Sequence, residues 1–284
     1  MRKQRTKARM ASGEGNVESY LDRIGYHDPR LPTISVLRRL HRLHLLSVPF
    51  ENLDIHSCRP IVLDQKLFYR KIVEERRGGY CYELNGSFAW LLKRLGFKVS
   101  MLSARVARSK GGYSPEFDHM TLLVRLEDSW LADVGFGDLF TEPIPLDSKE
   151  KAEHGTEFRM GRNNAHRVLS RWNRQKSSWE PQYEFTLRPR KLRDFSARNR
   201  FQQTSPNSHF TQNRLISQLR PRGRVTLTDT KLLINKGGRR TERKVGSDEE
   251  FNRLLFKHFR IQLAHPPETG HKRRTDIVKV RSAY

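Results

Sequence analysis

The hydrophobic period of this chain changes at Gly96, and that change limits the folds open to it. From Cys81 onward Leu84, Phe88, Leu91, Leu92 and Leu95 recur at helical intervals, the spacing of a helix with a buried face. Gly96 is a natural stop. Beyond it, FKVSMLSARV, HMTLLVRL, SWLADVGF and YEFTLRP are short branched or aromatic runs separated by turn signals, the pattern of strands. Upstream, TISVLRRLHRLHLL predicts another helix with Thr33 as N-cap, broken at Pro49. Near the end, EEFNRLLFKHF returns to helical spacing behind Ser247 or Asp248, with acids in its first turn. There is no repeat of fixed period. The expected architecture is a helical N-terminal third, a β-rich middle and a mixed C-terminal part, with joints near Gly96 and around residues 200–208. At 33.4 kDa the chain exceeds one ordinary core, which agrees with several sub-domains.

Lys and Arg number 55 against 31 Asp and Glu, a net charge of +24. Such an excess favours anionic partners of any kind and selects none of them. It is spread along the chain, including MRKQRTKARM and HKRRTDIVKVRSAY at the two ends, with no nucleic-acid motif around it. No apolar run approaches a membrane span, and the N-terminal stretch lacks the apolar segment of a secretory signal. Two cysteines, Cys58 and Cys81, are too few for a disulfide framework and favour a reducing, cytoplasmic setting. His41 and His44 sit three apart on a predicted helix. No Cys or further His is placed to complete a metal site, so they read as solvated or packed histidines and no metal is expected.

Cys81 stands at the start of its helix behind Gly78 and Gly79. The positive end of a helix stabilises a thiolate, so the thiol there is expected to have a lowered pKa. The glycines permit a tight turn and could leave free N–H groups aimed at a developing oxyanion. A half-buried cysteine that merely packs is the competing reading. A nucleophile needs a base, and the base an orienting group. His119 opens HMTLLVRL, and Asp133 lies inside the apolar run SWLADVGFG, where an unpaired carboxylate is costly. If the intervening hairpin centres on Glu127, Asp133 faces Thr121 across the ladder. His119 is then its diagonal neighbour on the same face, roughly 7–8 Å away between backbones. An even loop would put the two on opposite faces.

RGGYCYELN, DHMTLLV, LADVGFG, the upstream VPFENL and the later TSPNSHF resemble, in order, motifs of the arylamine N-acetyltransferase family. The resemblance covers roughly residues 18 to 265. It implies an α+β fold: a helical domain over residues 18–96, a central β-barrel over 97–205 and an α/β lid over 206–265, with a catalytic core of the cysteine-protease kind. Residues 1–17 are then a basic disordered extension and 266–284 a basic tail. It puts Cys81, His119 and Asp133 at the triad positions. Phe50, Val106 and Phe136 fall at acceptor-pocket positions, and Phe201 and Asn207 at positions that approach CoA. The implied activity moves acetyl from acetyl-CoA, as co-substrate, through the cysteine to an arylamine or hydrazine. One departure stands out: where some relatives carry a small glycine-containing loop, this chain has SPEFDH, whose Glu116 and Asp118 would repel phosphates.

Two other readings share these residues. An amide synthase of the same superfamily would use the triad on an acyl chain held by a carrier protein, and a basic surface suits an acidic carrier. A basic nucleic-acid-binding protein on an inactive enzyme fold would explain the charge, but the intact Cys/His/Asp set argues against it.

Overall fold

Thr33 accepts the N–H of Val36 at 3.4 Å, as an N-cap should, and the helix α2 runs from Ile34 to Ser47. In this computed structural model, which describes residues 15–147, 151–153 and 156–263, α2 follows α1 (Val17–Ile24). Then come a short strand β1 (Phe50–Glu51), α3 (Leu53–His56) and α4 (Gln65–Tyr69), which runs into a π-helical turn over Arg70–Glu74. The long helix α5 (Cys81–Arg94) closes the segment; every residue from Cys81 to Ala89 is buried, and Gly96 ends it in the left-handed conformation. The expected extension over residues 1–17 lies, except for its last three residues, outside the described residues, and the tail over 266–284 lies wholly outside them.

After Gly96 the chain builds a curled antiparallel sheet of β2 (Lys98–Val106), β3 (His119–Arg125), β4 (Ser129–Ala132), β5 (Ile144–Pro145), β6 (Lys151–Glu153), β7 (Thr156–Asn163), β8 (His166–Asn173) and β9 (Ser178–Phe185). Its order is β5-β4-β3-β2-β9-β8-β7-β6. Among the described residues neither β5 nor β6 pairs onward, so the sheet is a half-barrel where a barrel was expected. Leu102, Ala104, Leu123, Phe158, Leu169 and Phe185 fill its concave side, while Met120, Leu122 and Val124 on the other face pack with α5. The β3–β4 register pairs Leu122 with Ala132 and Arg125 with Ser129 and so centres on Glu127. That parity puts His119 and Asp133 on one side of the hairpin.

A 3₁₀ turn (Leu192–Phe195), α6 (Ser196–Thr204) and α7 (His209–Gln212) lead to a second sheet. It consists of β10 (Leu215–Arg220), β11 (Gly223–Thr228), β12 (Lys231–Lys236) and β13 (Arg239–Lys244), with β1 added beside β10. The last helix, α8 (Asp248–Phe259), capped by Ser247, covers this sheet with Phe251, Leu254 and Leu255. The strand β1 was not foreseen: two residues of the helical part join the C-terminal sheet. All six residues of β13 are exposed, and among the described residues no strand pairs with its outer edge.

Five charged side chains are buried where β1, α3, the π-turn and α5 meet. Lys71 Nζ donates to Glu83 Oε1 at 2.8 Å and lies 2.9 Å from Asp54 Oδ2. Arg77 donates to Glu51 Oε1 at 2.8 Å and to Asp54 Oδ1 at 2.9 Å. Three carboxylates thus face two cations. Burial, with Glu51 and Asp54 alongside, pushes the Glu83 carboxyl up to about 7 against the pull of Lys71. Because this pKa is raised on folding, its contribution to stability is full below the ordinary value of 4.5 and is lost as pH rises through about 7. Glu83→Gln should therefore gain stability relative to the parent as pH rises, read from urea midpoints at roughly pH 5 and pH 8. Lys71→Met, which strands three carboxylates on Arg77, should cost about 3–5 kcal/mol at neutral pH.

Candidate active site

The turn that presents Cys81 is shaped by contact rather than by unusual backbone angles. Neither Gly78 nor Gly79 has a left-handed φ. A Cβ on Gly78 would sit 2.0 Å from the Pro49 carbonyl oxygen, so glycine is there because the two backbones touch. Gly79 accepts the N–H of Glu51 at 2.8 Å and donates its own N–H to Pro49 O at 3.3 Å. Its N–H is thus committed to VPFENL and is not aimed at an oxyanion, contrary to the expectation for this glycine. Glu83 Oε2 accepts the Tyr80 N–H at 3.1 Å and fixes the first turn of α5.

Cys81 is 3% exposed, not displayed. Burial pushes its thiol well above the ordinary range; Asp118 and Asp133 add to that, while backbone N–H groups of Met120 and Tyr82 pull the other way. The lowered pKa expected from the helix start is therefore overridden by desolvation.

His119 Nε2 lies 2.7 Å from Asp133 Oδ2, both side chains being buried. With Nε2 engaged, Nδ1 is the ring nitrogen left for a reaction. Asp133 also accepts from Tyr183 Oη at 3.0 Å, from Asn85 Nδ2 at 2.9 Å and from the Gly135 N–H at 3.0 Å. Burial works to raise its pKa, but His119, Asn85 and Gly135 outweigh burial and hold the carboxyl below its ordinary range. Burial beside Asp133 pushes Tyr183 well up, so its hydroxyl stays a donor. The helix that begins at Cys81 is locked to this loop: a Cβ on Gly135 would lie 2.9 Å from Cys81 Cα, and Asn85 Oδ1 accepts the Val134 N–H at 3.0 Å.

Asn85 and Tyr183 were not singled out from the sequence, and His41 was read there only as a solvated or packed histidine. Asn85 stands four residues after Cys81, hence on the same helix face, which was the available signal. Tyr183 gave none. His41 is fully buried; its Nδ1 lies 2.9 Å from Thr141 O and its Nε2 accepts the Asp133 backbone N–H at 3.1 Å. That pattern fixes the neutral tautomer with the proton on Nδ1. His44 faces Tyr20 Oη at 3.0 Å. These histidines are packed as expected, and His41 does more: it holds the backbone of Asp133.

Phe136 meets the His119 ring edge-on at 5.2 Å, and Val106 is paired with Tyr183 across β2 and β9. Phe50 lies on the other side of the Cys81 turn, bridged to Gly79 and 6.0 Å from Phe210. Phe201 on α6 lies under the Arg198 guanidinium at 4.0 Å, and Asn207 is exposed beyond α6. The acidic loop before His119 carries no free charge. Glu116 takes a bond from Ser103 Oγ at 2.9 Å and an ion pair from Arg190. Asp118 takes Arg198 Nε at 2.6 Å and Gln202 Nε2 at 2.7 Å. The repulsion expected of these acids is neutralised, and Asp118 ties α6 to the residue before His119.

His41→Phe keeps an aromatic ring between Phe88 and Phe140 but orphans the buried Asp133 N–H. It should cost about 1–3 kcal/mol for that group, measured by urea unfolding, with His41→Leu losing at least as much.

A protein-family model described as N-acetyltransferase matches residues 33–267 of this chain. The arylamine N-acetyltransferase / N-hydroxyarylamine O-acetyltransferase of Salmonella typhimurium is 36% identical over 218 residues, which are 75% of this chain and 76% of that protein. A solved structure of arylamine N-acetyltransferase from Salmonella typhimurium superposes with a TM-score of 0.81 at 32% identity, covering 86% of this chain and 90% of that one. The Mycobacterium marinum arylamine N-acetyltransferase, solved in complex with CoA, gives a TM-score of 0.80 at 30% identity, covering 87% and 93%. Matches of this length and identity, on a fold that buries a cysteine beside a His–Asp pair, show that the chain belongs to the arylamine N-acetyltransferase family.

Proposed function

We propose that this protein moves an acetyl group from acetyl-CoA through a thioester on Cys81 to an arylamine or hydrazine. The observation that carries this reading is the buried His119–Asp133 pair, set in the loop that packs directly on the Cys81 backbone. In the first half-reaction the Cys81 proton passes to His119 at Nδ1, and Asp133 stabilises the imidazolium through Nε2. The sulfur attacks the thioester carbonyl carbon, and collapse of the tetrahedral intermediate breaks the bond to the CoA sulfur. His119 returns its proton to that leaving thiolate. In the second half the amine nitrogen attacks the Cys81 thioester, His119 takes the proton from nitrogen, and the Cys81 thiol is restored with that proton. The raised thiol pKa fits this order, because a lone buried thiolate would be costly whereas one formed with an adjacent imidazolium is not.

The flat, aromatic surroundings of His119, with Phe136 and Tyr183 against its ring, suit a planar acceptor. For the co-substrate, the paired state of Glu116 and Asp118 removes the charge that would oppose its phosphates. Phe201 lies on α6, which Asp118 anchors through Arg198 and Gln202, and Asn207 lies just beyond its end.

Brief exposure to acetyl-CoA should leave one acetyl adduct on the intact protein, mapped by mass spectrometry to Cys81 and absent in Cys81→Ser. Cys58, exposed and away from the pair, should remain free. An adduct on Cys58, or none at all, would remove the ping-pong mechanism. Asp133→Asn, if folded, should lower the rate of adduct formation by about 10⁴-fold; near-normal acylation would mean that another group orients His119.

A further inference from the structure

Cys81 is the first residue of α5 and His119 the first residue of β3. The residue ahead of each, Tyr80 or Asp118, therefore sets where that element starts, and both are held by the same short helix. Tyr80 is fully buried, and its hydroxyl donates to Asn199 Oδ1 on α6. Asp118 Oδ1 accepts from Arg198 Nε at 2.6 Å and from Gln202 Nε2 at 2.7 Å, both also on α6. Four-residue spacing puts Arg198 and Gln202 in one row of the helix, with Asn199 and Gln203 in the row beside it. One row holds Asp118. The other holds Tyr80 and, through Gln203, the Ile61 backbone.

The holding groups are themselves fixed. Asn199 Nδ2 donates to Ile61 O at 2.9 Å, which turns the amide oxygen toward Tyr80. Gln203 Oε1 accepts the Ile61 N–H at 2.7 Å, and its Nε2 donates to Ile61 O at 3.0 Å. Gln202 Oε1 accepts the Ser208 hydroxyl at 2.7 Å, which leaves its amino group for Asp118. Arg198 lies over the Phe201 ring at 4.0 Å. Phe195, the last residue of the 3₁₀ turn ahead of α6, packs on both Tyr82 and Phe117. The Tyr82 hydroxyl in turn donates to Phe117 O at 2.6 Å. Asp118 is also one of the charges that hold the Cys81 thiol up, and Arg198 is the cation set against it.

A second tie acts from the other end of the same stretch: Asn85 Nδ2 of α5 donates to Met120 O at 2.6 Å. His119 thus has a tethered residue on each side. We propose that α6 is a clamp that sets the separation of Cys81 and His119, with Asn199, Arg198 and Gln202 as positioning residues for acyl transfer. This inference rests on the acetyl-transfer reading above. Reacting groups have to approach within about 3–3.5 Å, and a displacement of about 1 Å caused at a distance can cost about 10²-fold in rate.

The probe is p-nitrophenyl acetate, which can acylate Cys81 of the full chain without CoA. The sulfur attacks the ester carbonyl carbon, the bond to the phenol oxygen breaks, and nitrophenolate leaves while His119 takes the thiol proton. The burst amplitude of nitrophenolate counts competent sites, and its rate constant reports acylation. Arg198→Met and Tyr80→Phe should each lower the rate constant about 10- to 100-fold at unchanged amplitude. Tyr80→Phe changes no charge, and Arg198→Lys should recover part of the loss. Gln202→Met leaves the ion pair in place and should lose less; it takes over the reading if Arg198→Met does not fold. A parental rate constant in Tyr80→Phe, or in both Arg198→Met and Gln202→Met, overturns the clamp, which needs both jaws. Reduced amplitude at a parental rate constant also overturns it, because α6 would then only support the fold. No burst in the parent removes the acetyl-transfer reading and the clamp with it, whereas a normal parental burst confines any failure to the clamp.

Discussion

An ionised carboxylate in a dry interior survives only when donors surround it, and Asp133 draws its donors from distant parts of the chain. Asn85 comes from α5, His119 from β3, Tyr183 from β9 and the Gly135 N–H from its own loop. His41 of α2 holds the same residue by its backbone. The helical part and the curled sheet are therefore docked through the carboxylate that pairs with His119. The geometry of the His119–Asp133 pair and the packing of these two parts are one set of hydrogen bonds, and neither can drift without the other.

The second half of the site depends on charge in the same way. Cys81 begins α5, and the first turn of α5 is held by Glu83, which belongs to the buried cluster with Lys71, Arg77, Glu51 and Asp54. The paired glycines let that cluster close, because Gly78 lies directly against the Pro49 carbonyl. The motif RRGGYCYELN is thus less a flexible mouth than a tightly packed corner, with its thiol kept dry. Desolvation then wins over the helix end in setting the state of the sulfur.

Much of this was legible from the chain. Helical spacing located α2, α5 and α8 to within a residue or two, and Thr33 and Ser247 cap where their chemistry says they should. The parity of the β3–β4 hairpin was enough to bring His119 and Asp133 to one side. What stayed hidden depends on contacts between segments far apart in sequence. Tyr183 reaches Asp133 across 50 residues, and His41 across 92, and no local pattern marks either. Nor does composition disclose that Glu116 and Asp118 are each matched by an arginine from beyond β9. The two-residue strand β1 is too short for any periodicity, yet it joins the turn before Cys81 to the C-terminal sheet.

The free edge of that C-terminal sheet has a consequence for the protein among its own copies. Along β13 the residues are Arg239, Arg240, Thr241, Glu242, Arg243 and Lys244, all exposed, and among the described residues no strand pairs with the outer side. An uncovered edge is a template on which another strand can grow. Two such edges approaching each other would set rows of like charge a few ångströms apart, and the repulsion would act before any backbone bond could form. The excess of basic residues thus acts here as a colloidal stabiliser, keeping the molecules dispersed at concentrations where a neutral edge would begin to stack.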